Sequence, residues 1–415
     1  MAKAQNTNEV NVSREIKELM DAGIALNKLP RLIDCMYRAN LNLFIWGDPG
    51  IGKTQSVEQF VNKMKKDNPE FEYFYYPLSS MDPSDLIGIP MPEKVSEYGR
   101  EITRTTWAIP KCLPTNPNGK GLLYFDEMNN APAAMQNAVQ QLVQERRIGD
   151  YFLPEGYRII AAGNQSGVNA YSTEIQAPVK DRFGHVFVKT GADLWFDYML
   201  GLDTEPTKEK PFISGITPEK IKQMTVAFVK RNPDKLFDTD NYNNNSYTFA
   251  TPRSWSRFIK LYSMNPEASY DEVFHFASMY FGGAVANMLL EYLKNSEKYQ
   301  DPAEILFNGK CFRDDGDMNG FFGTLTGCVA TLNQMDDPEK DENGNPNKNS
   351  KEGKALTEAV HNLFEACKKL KRADWQAILT KHIAQNNKLR KYIDSKDVQT
   401  VAKFCTSTVN ATMNK

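Results

Sequence analysis

Eight residues, Gly47-Asp48-Pro49-Gly50-Ile51-Gly52-Lys53-Thr54, satisfy the pattern G-x-x-x-x-G-K-[ST] and constrain the fold more than any other part of the chain. The pattern needs a strand before it and a helix after it. The apolar run LNLFIW (41–46) precedes it, and Val57, Phe60, Val61 and Met64 follow it at the i, i+3, i+4, i+7 spacing of an amphipathic helix. Glycines let successive backbone N–H groups curl inward around phosphate oxygens. The helix N-terminus adds its dipole, Lys53 a point charge and the Thr54 hydroxyl an oxygen ligand for Mg²⁺. Gly47 through Thr54, with Gln55 one residue into the helix, are therefore the candidate nucleotide-binding residues.

Such a loop needs a carboxylate source. Leu122-Leu123-Tyr124-Phe125-Asp126-Glu127 is an apolar strand ending in two acids. Neighbouring side chains of a strand point to opposite faces, so the two acids take different roles. Asp126 can enter a Mg²⁺ shell, and Glu127 can face the water behind a γ-phosphate. Asn164 follows the apolar run RIIAA (158–162), at the end where open α/β sheets bind ligands, and can orient that water or touch the γ-phosphate. Arg182, in Lys180-Asp181-Arg182-Phe183, can be a solvated surface arginine or can stabilise transition-state charge in a neighbouring subunit. Thr251-Pro252-Arg253 reads as the N-cap, N1 and N2 of a helix carrying Trp255 and Phe258. Arg253 can lean from that helix onto bound phosphate or pair with a surface carboxylate.

Near-continuous apolar runs at 41–46, 71–78, 121–126, 158–162 and 185–188, alternating with helical patterns, predict a parallel sheet covered on both faces. From about residue 200 the strands stop, and helical periodicity at 218–231, 252–264 and 271–295 predicts an all-α part. The expected organisation is a tail at 1–12, an α/β nucleotide-binding domain at 13–200 and a helical domain at 201–332. A flexible linker at 333–354 and a helical segment at 355–415 follow, the latter opened by Leu356, Val360, Leu363, Phe364 and Cys367.

Fifty basic residues against 52 acidic give a net charge of −2, which excludes a global field for non-specific nucleic-acid binding. Residues 355–415 alone hold 11 Lys and Arg against five acids, a surplus that suits a solvated helical face or a phosphate backbone. Six cysteines without CxxC spacing and four His point to reduced thiols rather than a disulfide framework or zinc site. No secretion-signal pattern is present at the start, no stretch approaches the roughly 20 apolar residues that span a bilayer, and a cytoplasmic location is expected.

The ordered set of motifs resembles the AAA+ ATPases, and within them the MoxR-like branch, over roughly residues 30–290. The resemblance rests on GDPGIGKT (Walker A), LLYFDE (Walker B), RIIAAGN (sensor 1), DRF at 181–183 and TPR at 251–253 (sensor 2). Segment 84–113 is similar to the branch's helix-2 insertion, and 145–164 to its hairpin before sensor 1. DEMNNA (126–131) is similar to the DE-hydrophobic-N pattern, with Asn129 matching. Asn130, Gln165 and Thr251 depart from the usual residues, and 296–415 carry no resemblance.

The resemblance implies a five-stranded parallel sheet with a helical lid, and ATP and Mg²⁺ as ligands. It also implies ATP hydrolysis in a homo-oligomeric ring, usually hexameric. There Thr54 and Asp126 hold the metal, Glu127 and Asn164 serve the attacking water, Arg182 acts in trans and Arg253 in cis, and hydrolysis depends on assembly. Chaperone-like remodelling of a partner protein is the expected function, with a nucleic-acid motor or loader as the alternative. Tyr98, Arg100 and Arg104 in one insertion, and Tyr151 and Phe152 in the other, are candidate pore contacts, although a hairpin aromatic can equally pack on its neighbour.

Overall fold

The structure is a computed structural model. It describes Leu19 and residues 22–164, 175–189, 191–192, 196, 200, 209–295, 300–313, 318–336, 338, 347–370, 375 and 392. The expected 1–12 tail, Gln165, the centre of the 333–354 linker and nearly all of 371–415 lie outside these residues.

Ten strands are described: β1 (Ile24–Ala25), β2 (Leu43–Trp46), β3 (Glu72–Pro77), β4 (Ile89–Glu97), β5 (Arg100–Ala108), β6 (Gly121–Asp126), β7 (Arg147–Ile148), β8 (Tyr151–Phe152), β9 (Tyr157–Gly163) and β10 (Gly184–Lys189). Six form one sheet in the order β1-β10-β2-β9-β6-β3, and every pairing in it is parallel. All five apolar runs seen in the sequence become strands of this sheet. The expected count of five is corrected to six, because β1 adds two residues beside β10. A pairing that short is below what hydrophobic periodicity can register.

The four residues of β2 are all buried, as a central parallel strand covered on both faces requires. Helix Lys53–Asp67 buries Val57, Phe60 and Val61, and helix Ala133–Glu145 buries Met135, Ala138, Val139, Leu142 and Val143. β4 and β5 pair antiparallel in a separate two-stranded sheet, and β7 and β8 in another. These hairpins fall within segments 84–113 and 145–164.

The chain divides into two compact units, Met1–Gly215 with Asp234–Met288, and Ile216–Pro233 with Leu289–Lys415. In the first, helix Pro252–Met264 and the part of helix Tyr270–Lys294 up to Met288 accompany the sheet. Helix Leu29–Arg38 is tied to this helical part by ion pairs, Lys28 with Asp271 at 2.7 Å and Arg31 with Glu272 at 2.8 Å. Asn265 also donates from its amide to the Cys35 carbonyl. The helix spanning Tyr270–Lys294 is long and apolar enough to cross a membrane, which corrects the reading that no such stretch exists. It is broken at Gly282, whose φ of 77° is not helical, and it buries Val273, Phe276, Ala277, Leu289 and Leu290.

The second unit has its own core, in which Leu325, Cys328 and Leu332 of helix Met318–Gln334 join Leu356, Val360, Leu363, Phe364 and Cys367 of helix Lys351–Lys368. Those last five are the residues the C-terminal periodicity selects. Trp375 stacks on Phe321 at 4.4 Å between ring centroids. The two ends of the 333–354 segment are helical, reaching Gln334 and resuming at Lys351.

Candidate nucleotide site

Strand order builds the site. β2, β9 and β6 are adjacent and parallel, with Trp46 opposite Gly163 and Ala161 opposite Phe125, so their C-terminal ends open on one edge of the sheet. The loop after β2 is Gly47–Thr54, the residue after β9 is Asn164, and β6 ends at Asp126. Segments far apart in sequence meet because topology stacks their strand ends.

Within the loop, Gly50 and Gly52 have φ of 79° and 95°. L-residues with side chains disfavour that region, and the reversal it allows starts helix Lys53–Asp67 directly at Lys53. The Lys53 ammonium, only 8% exposed, donates to the carbonyls of Gly47 (2.7 Å) and Asp48 (3.0 Å) and to Asn164 Oδ1 (3.0 Å). Burial pulls its pKa below the usual lysine value, while the nearby carboxylates of Asp126, Asp48 and Glu127 pull it back up.

The Thr54 hydroxyl donates to Asp126 Oδ2 at 3.2 Å and lies 3.3 Å from the Tyr124 hydroxyl. Two hard oxygens thus converge from the loop and the strand end. That donor set fits Mg²⁺, which takes one or two protein oxygens and completes its shell with water and phosphate oxygens. Asp126 Oδ2 also accepts from Tyr75 (3.2 Å), and its Oδ1 accepts from the Glu127 amide (2.9 Å), so the carboxylate is fixed on both oxygens.

Glu127 adopts left-handed backbone, with φ 53° and ψ 36°. This conformation is uncommon for a residue with a side chain, and it turns the chain sharply at the strand end. The Glu127 carboxylate accepts a hydrogen bond from the Ser79 hydroxyl, just beyond β3. β3 is the neighbour of β6, so Ser79 reaches Glu127 along the same edge of the sheet.

Asn129 and Asn164 form a reciprocal pair. The Asn129 amide donates to the Asn164 carbonyl at 2.8 Å, and Asn129 Oδ1 accepts from the Asn164 backbone N–H at 3.0 Å. Both residues are buried, at 2% and 7% exposure. The clamp leaves Asn164 Oδ1 free to hold Lys53. It also explains the residue at 163, where a Cβ would stand 2.6 Å from Asn129 Oδ1 and 2.9 Å from the Phe44 ring.

A second polar cluster gathers on Asp181. Its carboxylate accepts from the Thr251 hydroxyl at 2.8 Å and from the Arg253 guanidinium, and its backbone carbonyl accepts from Arg257. Arg253 therefore pairs with a carboxylate, the second of the two placements open to it from sequence. Arg182 donates to the Pro178 carbonyl, and partial burial together with Arg253 lowers its pKa. Behind this turn, buried His185 accepts from the Trp46 indole at Nδ1 (2.8 Å), so its Nε2–H donates to the Lys180 carbonyl (2.9 Å). Burial pushes the His185 pKa down to about 3.

The structure thus pairs Lys53 with Asn164 and Thr54 with Asp126 at the same edge of the sheet, with Glu127 beside Asp126. Arg182 and Arg253 fall in the Asp181 cluster. Sequence reasoning missed Ser79, Tyr75 and Tyr124, because their contacts depend on the order of β2, β9, β6 and β3 in the sheet. Of the candidate pore aromatics, Tyr151 is buried and donates to the Pro114 carbonyl at 2.7 Å, so it packs rather than projects. Phe152 and Tyr98 are exposed, Tyr98 completely.

Sheet topology, glycine loop and strand-end acids define a P-loop NTPase fold. Residues 42–183, about a third of the chain, match the family described as AAA domain (dynein-related subfamily). Among solved structures, the chain is similar to a candidate ATPase from Cytophaga hutchinsonii at 15% identity, over 70% of this chain and 97% of that one, with a TM-score of 0.39. It is also similar to a full-length MCM homolog from Methanopyrus kandleri at 14% identity, over 64% of this chain and 54% of that one, with a TM-score of 0.34. No curated protein matches the chain.

Proposed function

We propose that this chain is a ring-forming ATPase of the MoxR-like type that hydrolyses ATP to remodel a partner protein, in a chaperone-like manner. The observation that carries the hydrolytic part is the convergence of Lys53, Thr54, Asp126 and Asn164 on one sheet edge, with Glu127 turned beside them. Loop amides and Lys53 bind the phosphates. Thr54 and Asp126 would hold Mg²⁺, which when bound neutralises charge on the phosphate oxygens. Glu127 accepts the proton of the water whose oxygen attacks the γ-phosphorus, and the bond to the β–γ bridging oxygen breaks to release ADP. Ser79 restrains the Glu127 carboxylate, and Asn129 holds Asn164 at the γ-phosphate end of Lys53.

Arg182 acts in trans on a neighbouring copy's nucleotide, in a hexameric ring. Arg253 acts in cis, exchanging Asp181 for phosphate when nucleotide state moves the helices at 252–288. A partner protein is favoured over nucleic acid by the β4–β5 insertion, which carries three acids and three bases and so lacks the positive field that a phosphate backbone needs. The expected compartment is the cytoplasm.

The test is a steady-state ATPase assay of the full chain with and without added DNA or RNA, at low and moderate salt. Turnover that nucleic acid leaves unchanged supports the remodelling reading. Stimulation of several-fold, weakening steeply with salt, would move the assignment to a nucleic-acid motor.

A further inference from the structure

Two prolines in β4, Pro90 and Pro92, point to a use for the opposite edge of its hairpin. The register pairs Glu97 with Arg100 around the two-residue turn Tyr98-Gly99, whose φ values of 51° and 74° are those of a type I′ turn. The pair that closes such a turn directs its backbone groups at each other, and the parity alternates from there. Arg100, Ile102, Arg104 and Thr106 therefore face β4, while Glu101, Thr103, Thr105 and Trp107 direct their N–H and C=O groups outward. One contact checks the parity independently, since the Trp107 N–H donates outward to Asp150 Oδ2 at 3.2 Å.

The same parity on β4 sends positions 90, 92, 94 and 96 outward. Pro90 and Pro92 have no N–H to present, so that edge cannot be extended by a full ladder. Edge prolines are a common protection against strand addition. The β5 edge lacks it. Glu101, Thr103 and Thr105 keep both backbone groups, the run Ile102–Thr106 is rich in β-branched residues, and among the described residues no third strand joins the hairpin. One edge is blocked and the other is left open.

The occupant follows from charge and geometry. Glu93, Glu97 and Glu101 balance Lys94, Arg100 and Arg104, and Arg104 is bound to Glu97 at 2.6 Å, so phosphate chains gain little here. An extended polypeptide brings its own N–H and C=O groups at strand spacing. Its side chains would lie beside Ile102 on one face, where Ile89 and Met91 are also exposed, and beside Thr103 and Thr105 on the other.

We propose that the outer edge of β5, residues 101–105, captures an extended segment of a client polypeptide by strand addition. This rests on the partner-protein reading above and specifies its contact. The test is an anisotropy titration of fluorescein-labelled, reduced and carboxymethylated lactalbumin with the full chain in ATP. Thr103→Pro removes an outward donor without breaking the β4–β5 ladder and is expected to weaken binding roughly tenfold. Lys94→Pro on the blocked edge, and Thr103→Val with its N–H intact, are expected to bind like the parent. Hydrogen exchange across 101–105 should slow in the presence of the probe. Thr103→Pro binding as the parent does, or Lys94→Pro losing as much, overturns the edge assignment and leaves the partner-protein reading standing. A parent chain that does not bind the probe removes both. A change of oligomeric state in Thr103→Pro with unchanged probe binding would make the occupant a second copy and overturn the inference.

Discussion

Asn129 illustrates how one buried amide sets a site. Both of its side-chain hydrogen bonds fix the backbone of Asn164, whose side chain holds the Lys53 ammonium. Asn129→Ala leaves a buried N–H and a buried carbonyl without partners, at a cost of about 1–3 kcal/mol. Chemical denaturation should show that loss, and turnover should fall more than ATP affinity. Asn129→Asp restores the acceptor but not the donor and should lie between. His185 makes a prediction of a different kind. Its folded pKa of about 3 lies below its ordinary value of 6.5. Above pH 6.5 both folded and unfolded states are neutral there, and this group adds no pH dependence. Between 6.5 and about 3 only the unfolded state binds the proton, so stability falls by about 1.4 kcal/mol per pH unit as the solution is acidified. Unfolding midpoints measured from pH 7 to 5 should follow that slope in the parent. His185→Phe should be less stable throughout but flatter with pH.

At the scale of elements, every strand around the nucleotide loop was legible in the sequence, because buried parallel strands write themselves as apolar runs between turn residues. Lys53, Thr54, Asp126 and Asn164 were legible as well, since each sits at a strand end or helix start with a physical reason to be polar there. Strand order was not legible, and Ser79, Tyr75 and Tyr124 were missed with it. That β3 lies beside β6 follows from pairing between residues 49 apart in sequence (Glu72 with Gly121, Pro77 with Asp126), which local pattern does not encode. β1 was lost because two residues have no period. Arg253 shows a different limit, since a helix-start arginine is equally suited to phosphate and to carboxylate, and only the fold brings Asp181 beside it. The Asp181 carboxylate holds the start of helix Pro252–Met264 through both Thr251 and Arg253. Asp181→Ala should therefore release that helix start, read as faster hydrogen exchange over 250–256 with the sheet amides unchanged. Equal protection in both proteins would show that the cluster does not hold the helix.

At the scale of the whole molecule, the proposed trans role of Arg182 ties chemistry to assembly. Specific activity should rise with protein concentration. Arg182→Ala should keep ATP affinity while losing roughly a thousandfold or more in turnover, the order of effect expected where arginine fingers operate. Mixing Arg182→Ala with Glu127→Gln offers a direct check. In a ring, some interfaces then pair an intact Arg182 with an intact Glu127, and activity partly returns. The alternative, in which each chain hydrolyses alone, predicts no recovery.

Hydrolysis depends most on the pairing of the glycine loop with the acids at the end of β6. The most direct measurement compares the parent with Glu127→Gln and Thr54→Ala for Mg²⁺-dependent ATP binding and single-turnover phosphate release. Glu127→Gln is expected to bind ATP as tightly as the parent while releasing phosphate at least about a hundredfold more slowly, because only the proton acceptor is removed. Thr54→Ala should lose the Mg²⁺ dependence of binding. Phosphate release from Glu127→Gln at the parent rate would contradict the account.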